Sequence, residues 1–373
     1  MKNNSNILAA LAGAAIAALA SSAVAQQCQV IFAEDFDSID LGMNVMEGID
    51  TGSGGQVDDV WTPDLPAGWS DTFSCTGDGV TEWQGWNIAS GAWWQFTCGD
   101  QRRSDFTVKD GHFQKGACLI ADSDEWDDFN RQGCGPYNAY VTTAPISLTG
   151  VAANSVTLNF VESWRDETPQ EASVEVSFDG GSSWSTVQHY SSDSGSGDFQ
   201  DDIYNGTRSI AINNPGGAGS MLVRFGYYNA GNNWWWAIDD IAVTGNTSNA
   251  PSYPPSFFTI SVPTFNLTPG VQITWGDVCG ASSYIIELAK DAEFTDVRHS
   301  ATKSTVNYTI PGNVPTGIYY VRVTARNSAG DRGCLVDQRI VLDNPCFADT
   351  NGDGSANTLD FIEYLNRWVA GCP

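Results

Sequence analysis

Four segments of this chain alternate apolar and polar residues with a period of two. Ser155–Phe160 reads S-V-T-L-N-F, Ala172–Phe178 reads A-S-V-E-V-S-F, Met221–Tyr227 reads M-L-V-R-F-G-Y, and Trp235–Thr244 reads W-W-A-I-D-D-I-A-V-T. Successive side chains of a strand point to opposite faces, so this pattern buries one face and wets the other. The chain has 38 glycines, and turn dipeptides recur between short alternating runs. Together these predict an all-β fold, with spacing that suits a two-sheet sandwich or jelly roll.

At the N-terminus, Lys2 precedes an apolar run from Ile7 to Ala20 that is too short to cross a bilayer. Ala23 and Ala25 then occupy the small-residue positions of a cleavage site. Residues 1–25 read as a signal peptide, and the expected localisation is secreted, either extracellular or associated with the cell surface. No later stretch approaches spanning length, so no membrane span is expected in the mature protein. Gly245–Ser256 is polar and proline-rich, as linkers are, and a second boundary falls at Asp343–Pro345. The expected units are 26–245, 257–343 and 345–373, with 246–256 as the linker.

The net charge of −27 repels phosphate backbones and argues against nucleic acid as a partner. The same acidity suits calcium ligation and solubility. Nine cysteines in an exported chain read first as disulfides. Cys279 and Cys334 fall in one segment and Cys346 and Cys372 in another, so each pair could close locally. Among Cys28, Cys75, Cys98, Cys118 and Cys134 the connectivity stays open. No C-x-x-C spacing occurs and there are only three histidines, which argues against structural zinc.

The first unit carries Ala33-Glu34-Asp35-Phe36, Leu65-Pro66-Ala67-Gly68-Trp69, Ser177-Phe178-Asp179-Gly180-Gly181-Ser182-Ser183-Trp184 and Trp236-Ala237-Ile238-Asp239-Asp240, in that order. In this it resembles the MAM-like, cleaved-adhesin type of jelly-roll domain of bacterial surface proteins. The resemblance implies a structural calcium held by Glu34, Asp35 and Asp239. A Gly- and Asp-rich insertion, Leu41–Asp64, departs from the pattern beside Asp35. Ser177 to Trp184 is an Asp-box-like hairpin, whose aspartate and tryptophan are expected to fix a turn.

Phe257–Leu342 reads as seven short strands. Tyr319–Gly330, Y-Y-V-R-V-T-A-R-N-S-A-G, resembles the penultimate strand and turn of a fibronectin type III domain, and Trp275 matches that fold's core tryptophan. The resemblance implies an immunoglobulin-like sandwich that serves as a spacer.

The tail, Cys346–Pro373, holds the most specific chemistry. Calcium takes six to eight oxygens from a twelve-residue loop at positions 1, 3, 5, 7, 9 and 12. Asp349, Asn351, Asp353, Ser355 (through its carbonyl), Asn357 and Asp360 fill these positions, and Gly354 permits the sharp turn. Leu359, Ile362, Leu365, Trp368 and Val369 then recur at helical spacing. The tail resembles a single-loop, Gly-Cys-type dockerin-like segment. That implies a cohesin-like or cell-surface anchoring partner, with Cys346 and Cys372 stapling the loop for roughly 3–4 kcal/mol.

Trp86, Trp93 and Trp94 lie in loop-like sequence and are candidates for a glycan-stacking platform; the competing reading is core packing. Asp122, Asp124, Glu125, Asp127 and Asp128 form an acidic run that could be a second calcium site or a solvated loop. None of the histidines sits in a nucleophile motif, and no G-x-S-x-G occurs. The expected function is therefore that of a secreted, calcium-binding, non-catalytic adhesion protein. Its expected ligand is a polysaccharide, a surface glycan or another extracellular polymer. The alternative is a glycoside hydrolase or an accessory protein of polysaccharide degradation, because such chemistry needs only two carboxylates.

Overall fold

The computed structural model describes residues 27–44, 59–75, 79–95, 97, 116–127, 136–201, 204–263, 265–266, 270–334, 338–342 and 358–369. The expected signal peptide lies outside the described residues. Among those described, no helix is long and apolar enough to cross a membrane.

The chain is all-β, as the alternation predicts. The first sandwich contains β1 (Gln27–Glu34), β2 (Gly42–Met43), β3 (Asp59–Thr62), β4 (Ser70–Phe73), β5 (Asn87–Ser90), β6 (Ala117–Asp122) and β7 (Tyr137–Thr142). It continues with β8 (Ile146–Ser147), β9 (Val156–Trp164), β10 (Glu171–Ser177), β11 (Ser185–Ser191), β12 (Tyr204–Ile212), β13 (Ser220–Ala230) and β14 (Trp235–Thr247). One sheet runs β12-β9-β14-β6-β5-β3-β2, and the facing sheet runs β11-β10-β13-β7-β4. Between them Leu158, Phe160, Val174, Val223, Phe225, Tyr227 and Trp236 pack as one core. Phe160 and Trp236 from one sheet both meet Phe225 of the other edge-on, at 5.5 and 5.9 Å.

β14 is buried along nearly its whole length because it is central. β9 lies along one edge, while β6 pairs with its first part and β1 with its second. The register slips between Asp239 and Ala242, where β6 hands over to β1. The motif residues far apart in sequence also meet. Phe36, at φ 55, packs edge-on against Trp69 at 5.8 Å. Trp69 is positioned by a turn in which its N–H bonds Pro66 O at 3.0 Å and Gly68 adopts φ 83, a conformation that favours glycine. Asp179 fixes its hairpin as expected: its carboxylate takes bonds from Ser183 Oγ at 2.6 Å, from Ser183 N–H at 2.9 Å and from Ser177 Oγ at 2.8 Å, and these hold its pKa down at about 2.

The second sandwich has its own core. It contains β15 (Ile260–Ser261), β16 (Phe265–Asn266), β17 (Gln272–Trp275), β18 (Ser283–Ala289), β19 (Val297–Lys303), β20 (Asn307–Thr309), β21 (Gly317–Arg326), β22 (Asp331–Gly333) and β23 (Gln338–Leu342). β15-β17-β20 faces β16-β23-β21-β18-β19, with β22 paired to β21. Among the described residues nine strands are found where seven were expected, and two of them, β15 and β16, are only two residues long. Trp275 meets Tyr284 edge-on at 5.1 Å in the core. Buried Tyr319 donates its hydroxyl to Pro315 O at 2.8 Å, the tyrosine-corner arrangement of immunoglobulin-like sandwiches.

Candidate functional site

The end of β1 and the slip in β14 bring an acidic patch together. Asp239 and Asp240 are almost buried, and Asp240 stands at φ 46. A bulge of this kind re-aims side chains that the regular pleat would send to opposite faces. The Asp239 carboxylate accepts the Asp240 N–H at 2.7 Å. Glu34 turns back on its own chain and accepts the Phe36 N–H at 2.9 Å. Burial pushes its pKa up, against the pull of that bond. Asp35 faces the other way, toward the second sandwich. There Arg332 Nη1 lies 3.1 Å from Asp240 Oδ1 and 3.6 Å from Asp35 Oδ2.

Glu34 and Asp35, at the end of β1, therefore lie beside the slip in β14 that begins at Asp239. Among the described residues no three His, Cys, Asp or Glu side chains form a metal-holding group. The Arg332 guanidinium supplies positive charge to this patch. Removing it should change that balance. Arg332→Ala is expected to make calcium raise the melting temperature of the first sandwich more than it does in the unaltered protein. An equal calcium response in both would show that Arg332 is not the counter-charge.

One further contact locks the sandwiches together. Cys28 of β1 is bonded to Cys279, 251 residues away. This corrects the local pairing expected of Cys279 and Cys334. Cys279 is spent on the other sandwich, and the Cys334 sulfur instead accepts the Val323 N–H at 3.5 Å. Cys75 is disulfide-bonded, whereas Cys118 is a buried thiol whose pKa burial raises, with Asp239 and Asp37 adding to the shift. Cys346 and Cys372 lie outside the described residues.

The expected tryptophan platform is also corrected. Trp86 and Trp94 are 1% and 0% exposed. Trp86 donates to Ala139 O across the core at 3.3 Å, and Trp94 donates to Asp122 Oδ2 at 2.8 Å. Trp93 is half-buried and stacks on Trp83 at 5.6 Å. These tryptophans flank β5 and fold inward, where their large rings fill the space beside β14 and β7. Trp94 meets Trp235 edge-on at 5.6 Å and so covers the outer side of that strand.

The acidic run after β6 is interior too, not a solvated loop. Asp122 caps the short helix α1 (Ser123–Asp127) by accepting the Glu125 N–H at 3.2 Å, and Glu125 accepts from Thr97 Oγ1 at 2.6 Å. Asp128 lies outside the described residues. A buried carboxylate that no motif marked is Glu162 on β9, held by Arg208, by Tyr190 at 3.1 Å and by Trp236 at 2.8 Å.

In the tail, Asp349, Asn351, Asp353, Ser355 and Asn357 lie outside the described residues. α2 (Thr358–Val369) follows, with Asp360 in its first turn and Leu359, Phe361, Ile362, Tyr364 and Leu365 exposed.

No protein-family model matches the chain, and no curated protein is similar to it. Solved structures share its β architecture at low scores. The K3 cleaved adhesin domain of the Lys-gingipain of Porphyromonas gingivalis W83 is 15% identical over 58% of this chain and 98% of that one, with a TM-score of 0.30. TmCBM61, in complex with β-1,4-galactotriose, is 10% identical over 48% of this chain and 88% of that one, at 0.26. The Endo-D glycoside hydrolase domain from Streptococcus pneumoniae R6 is 11% identical over 84% of this chain, at 0.35, and this chain spans only 43% of it. Scores of this size carry no argument about what the chain binds.

Proposed function

We propose that the chain is an extracellular, non-catalytic binding or adhesion protein. Its ligand is a carbohydrate or a related extracellular polymer, and a calcium-loaded, dockerin-like tail anchors it. The observation that carries this reading is the Cys28–Cys279 bond. Such bonds persist in oxidising compartments outside the cytosol. This one ties the first strand of one sandwich to a loop of the next, and Arg332 reinforces the join. The result is a stiff pair that presents fixed surfaces, which suits adhesion better than a reaction requiring closure around a substrate. Calcium in the tail rests on the ligand spacing from Asp349 to Asp360.

The test is retention on a panel of insoluble polysaccharides, with and without chelator, while released reducing sugar is followed. Retention without turnover is expected, as is loss of tail structure on chelation. Sustained sugar release would instead establish a hydrolase.

A further inference from the structure

The outer face of the sheet β11-β10-β13-β7-β4 is built unlike the rest of the surface. Its inner face is spent on the core through Ala139, Val174, Val223, Phe225 and Tyr227. On the outer face, one row of register partners runs Thr72, Tyr140, Gly226, Ser173 and His189 from β4 to β11. The middle of that row is small. A Cβ at Gly226 would lie 2.6 Å from the Tyr140 ring, so only glycine lets this ring lie flat across the strand. Tyr228, on the neighbouring row, stacks on Tyr140 with centroids 5.7 Å apart and planes 14° from parallel. His189 continues the line beside Tyr228 at 6.5 Å. At the other end, Arg224 lies over both the Tyr140 ring, at 5.1 Å, and the Trp184 ring, at 4.1 Å. Tyr140, Trp184, His189, Arg224 and Tyr228 are partly exposed, whereas Ser173 and Gly226 are buried.

Polar groups edge the rings. Glu171 accepts from Asn229 at 3.0 Å and lies 3.1 Å from His189 Nε2, with Asp198 on the ring's other nitrogen at 3.2 Å. Glu175 holds Arg224. Burial pushes the Tyr228 phenol up to about 12 and raises Tyr140 as well, so both hydroxyls stay protonated donors in neutral water.

We infer that this face is a binding site for an uncharged polysaccharide chain, with Tyr140 and Tyr228 as the stacking floor and Glu171, Asn229, His189 and Arg224 as hydroxyl partners. Near-parallel rings offer a flat apolar surface matched to the C–H face of a pyranose. Carboxylates and a guanidinium at its edge match the ring hydroxyls, with charge-assisted bonds as the stronger contacts. Exposed tyrosine, tryptophan and arginine are the residue types that anchor interfaces. The ligand class follows from charge: three carboxylates on this face, in a chain of net charge −27, disfavour anionic polymers. The site rests on the carbohydrate-binding reading proposed above.

The test is affinity electrophoresis of the full chain through gels containing soluble galactan, galactomannan, xyloglucan or mixed-linkage β-glucan, with polygalacturonate as the anionic control. Retardation by at least one neutral polymer and none by polygalacturonate is expected. Tyr228→Ala should weaken that retardation roughly tenfold or more at unchanged melting temperature, whereas Tyr228→Phe, which keeps the stack, should retain most of it. Should Tyr228→Ala fail to fold, Glu171→Gln leaves every ring in place and should still weaken binding several-fold. If the unaltered protein binds and both Tyr228→Ala and Glu171→Gln bind equally well, the site is wrong while the carbohydrate reading stands. If no neutral polymer retards the unaltered protein, both fail.

Discussion

Glu162→Ala should cost the first sandwich about 3–5 kcal/mol, the largest loss expected of any single substitution here. Glu162 is fully buried on β9 and gathers three donors: Arg208 reaching in from the edge strand β12, the Trp236 indole N–H at 2.8 Å and the Tyr190 hydroxyl at 3.1 Å. Burial raises its pKa even though all three donors favour the charged form, so desolvation outweighs them. Truncation would leave a largely buried guanidinium without its carboxylate and two buried donors unsatisfied. Glu162→Gln keeps an acceptor and should lose less, about 1–3 kcal/mol. The double change Glu162→Leu with Arg208→Leu removes both charges at once and should recover much of the loss. Denaturant unfolding followed by tryptophan fluorescence reads all three. A loss below about 1 kcal/mol for Glu162→Ala would mean that the network does not hold the core.

The second large effect belongs to the disulfide between the sandwiches. Cys28 and Cys279 close a loop of 251 residues that contains the whole first sandwich. In the chain-entropy model a loop of this length restricts the unfolded chain by about 5 kcal/mol, although native strain and residual unfolded structure reduce what is measured. Replacing both cysteines by serine should therefore destabilise the first sandwich by about 3–5 kcal/mol. It should also raise amide exchange along β1, which is held otherwise by its ladder to β14. Arg332 would still join the two units through Asp35 and Asp240, so the pair should loosen rather than separate. Unchanged unfolding and unchanged exchange in β1 would show that these contacts suffice without the bond. Arg332 alone should matter little to stability, because a partly exposed ion pair contributes up to about 1 kcal/mol.

The physical scale of each signal explains what was legible in the amino-acid order. Period-two alternation is local, and Val156–Trp164, Glu171–Ser177, Ser220–Ala230 and Trp235–Thr247 are the strands it marked. Trp275 and Tyr319 were readable because a sandwich needs an aromatic plug and a corner at set places along its strands. The calcium loop expected from Asp349 to Asp360 rests on ligand spacing alone, and its positions before Thr358 lie outside the described residues. Trp86 and Trp94 were misplaced for the converse reason. Their segment has no period of its own, and their burial comes from β14 and β7, which arrive much later in the chain.

Sequence by itself determined the β class and the turn chemistry at Asp179, because each depends on residues a few positions apart. Only the tertiary structure decided that Cys28 reaches Cys279, that Arg332 faces Asp35 and Asp240, that Glu162 lies between Arg208 and Trp236, and that Tyr140 stacks on Tyr228 over Gly226. These are contacts between strands or between sandwiches. Their register is set by the packing of the whole sheet, and no local pattern carries it.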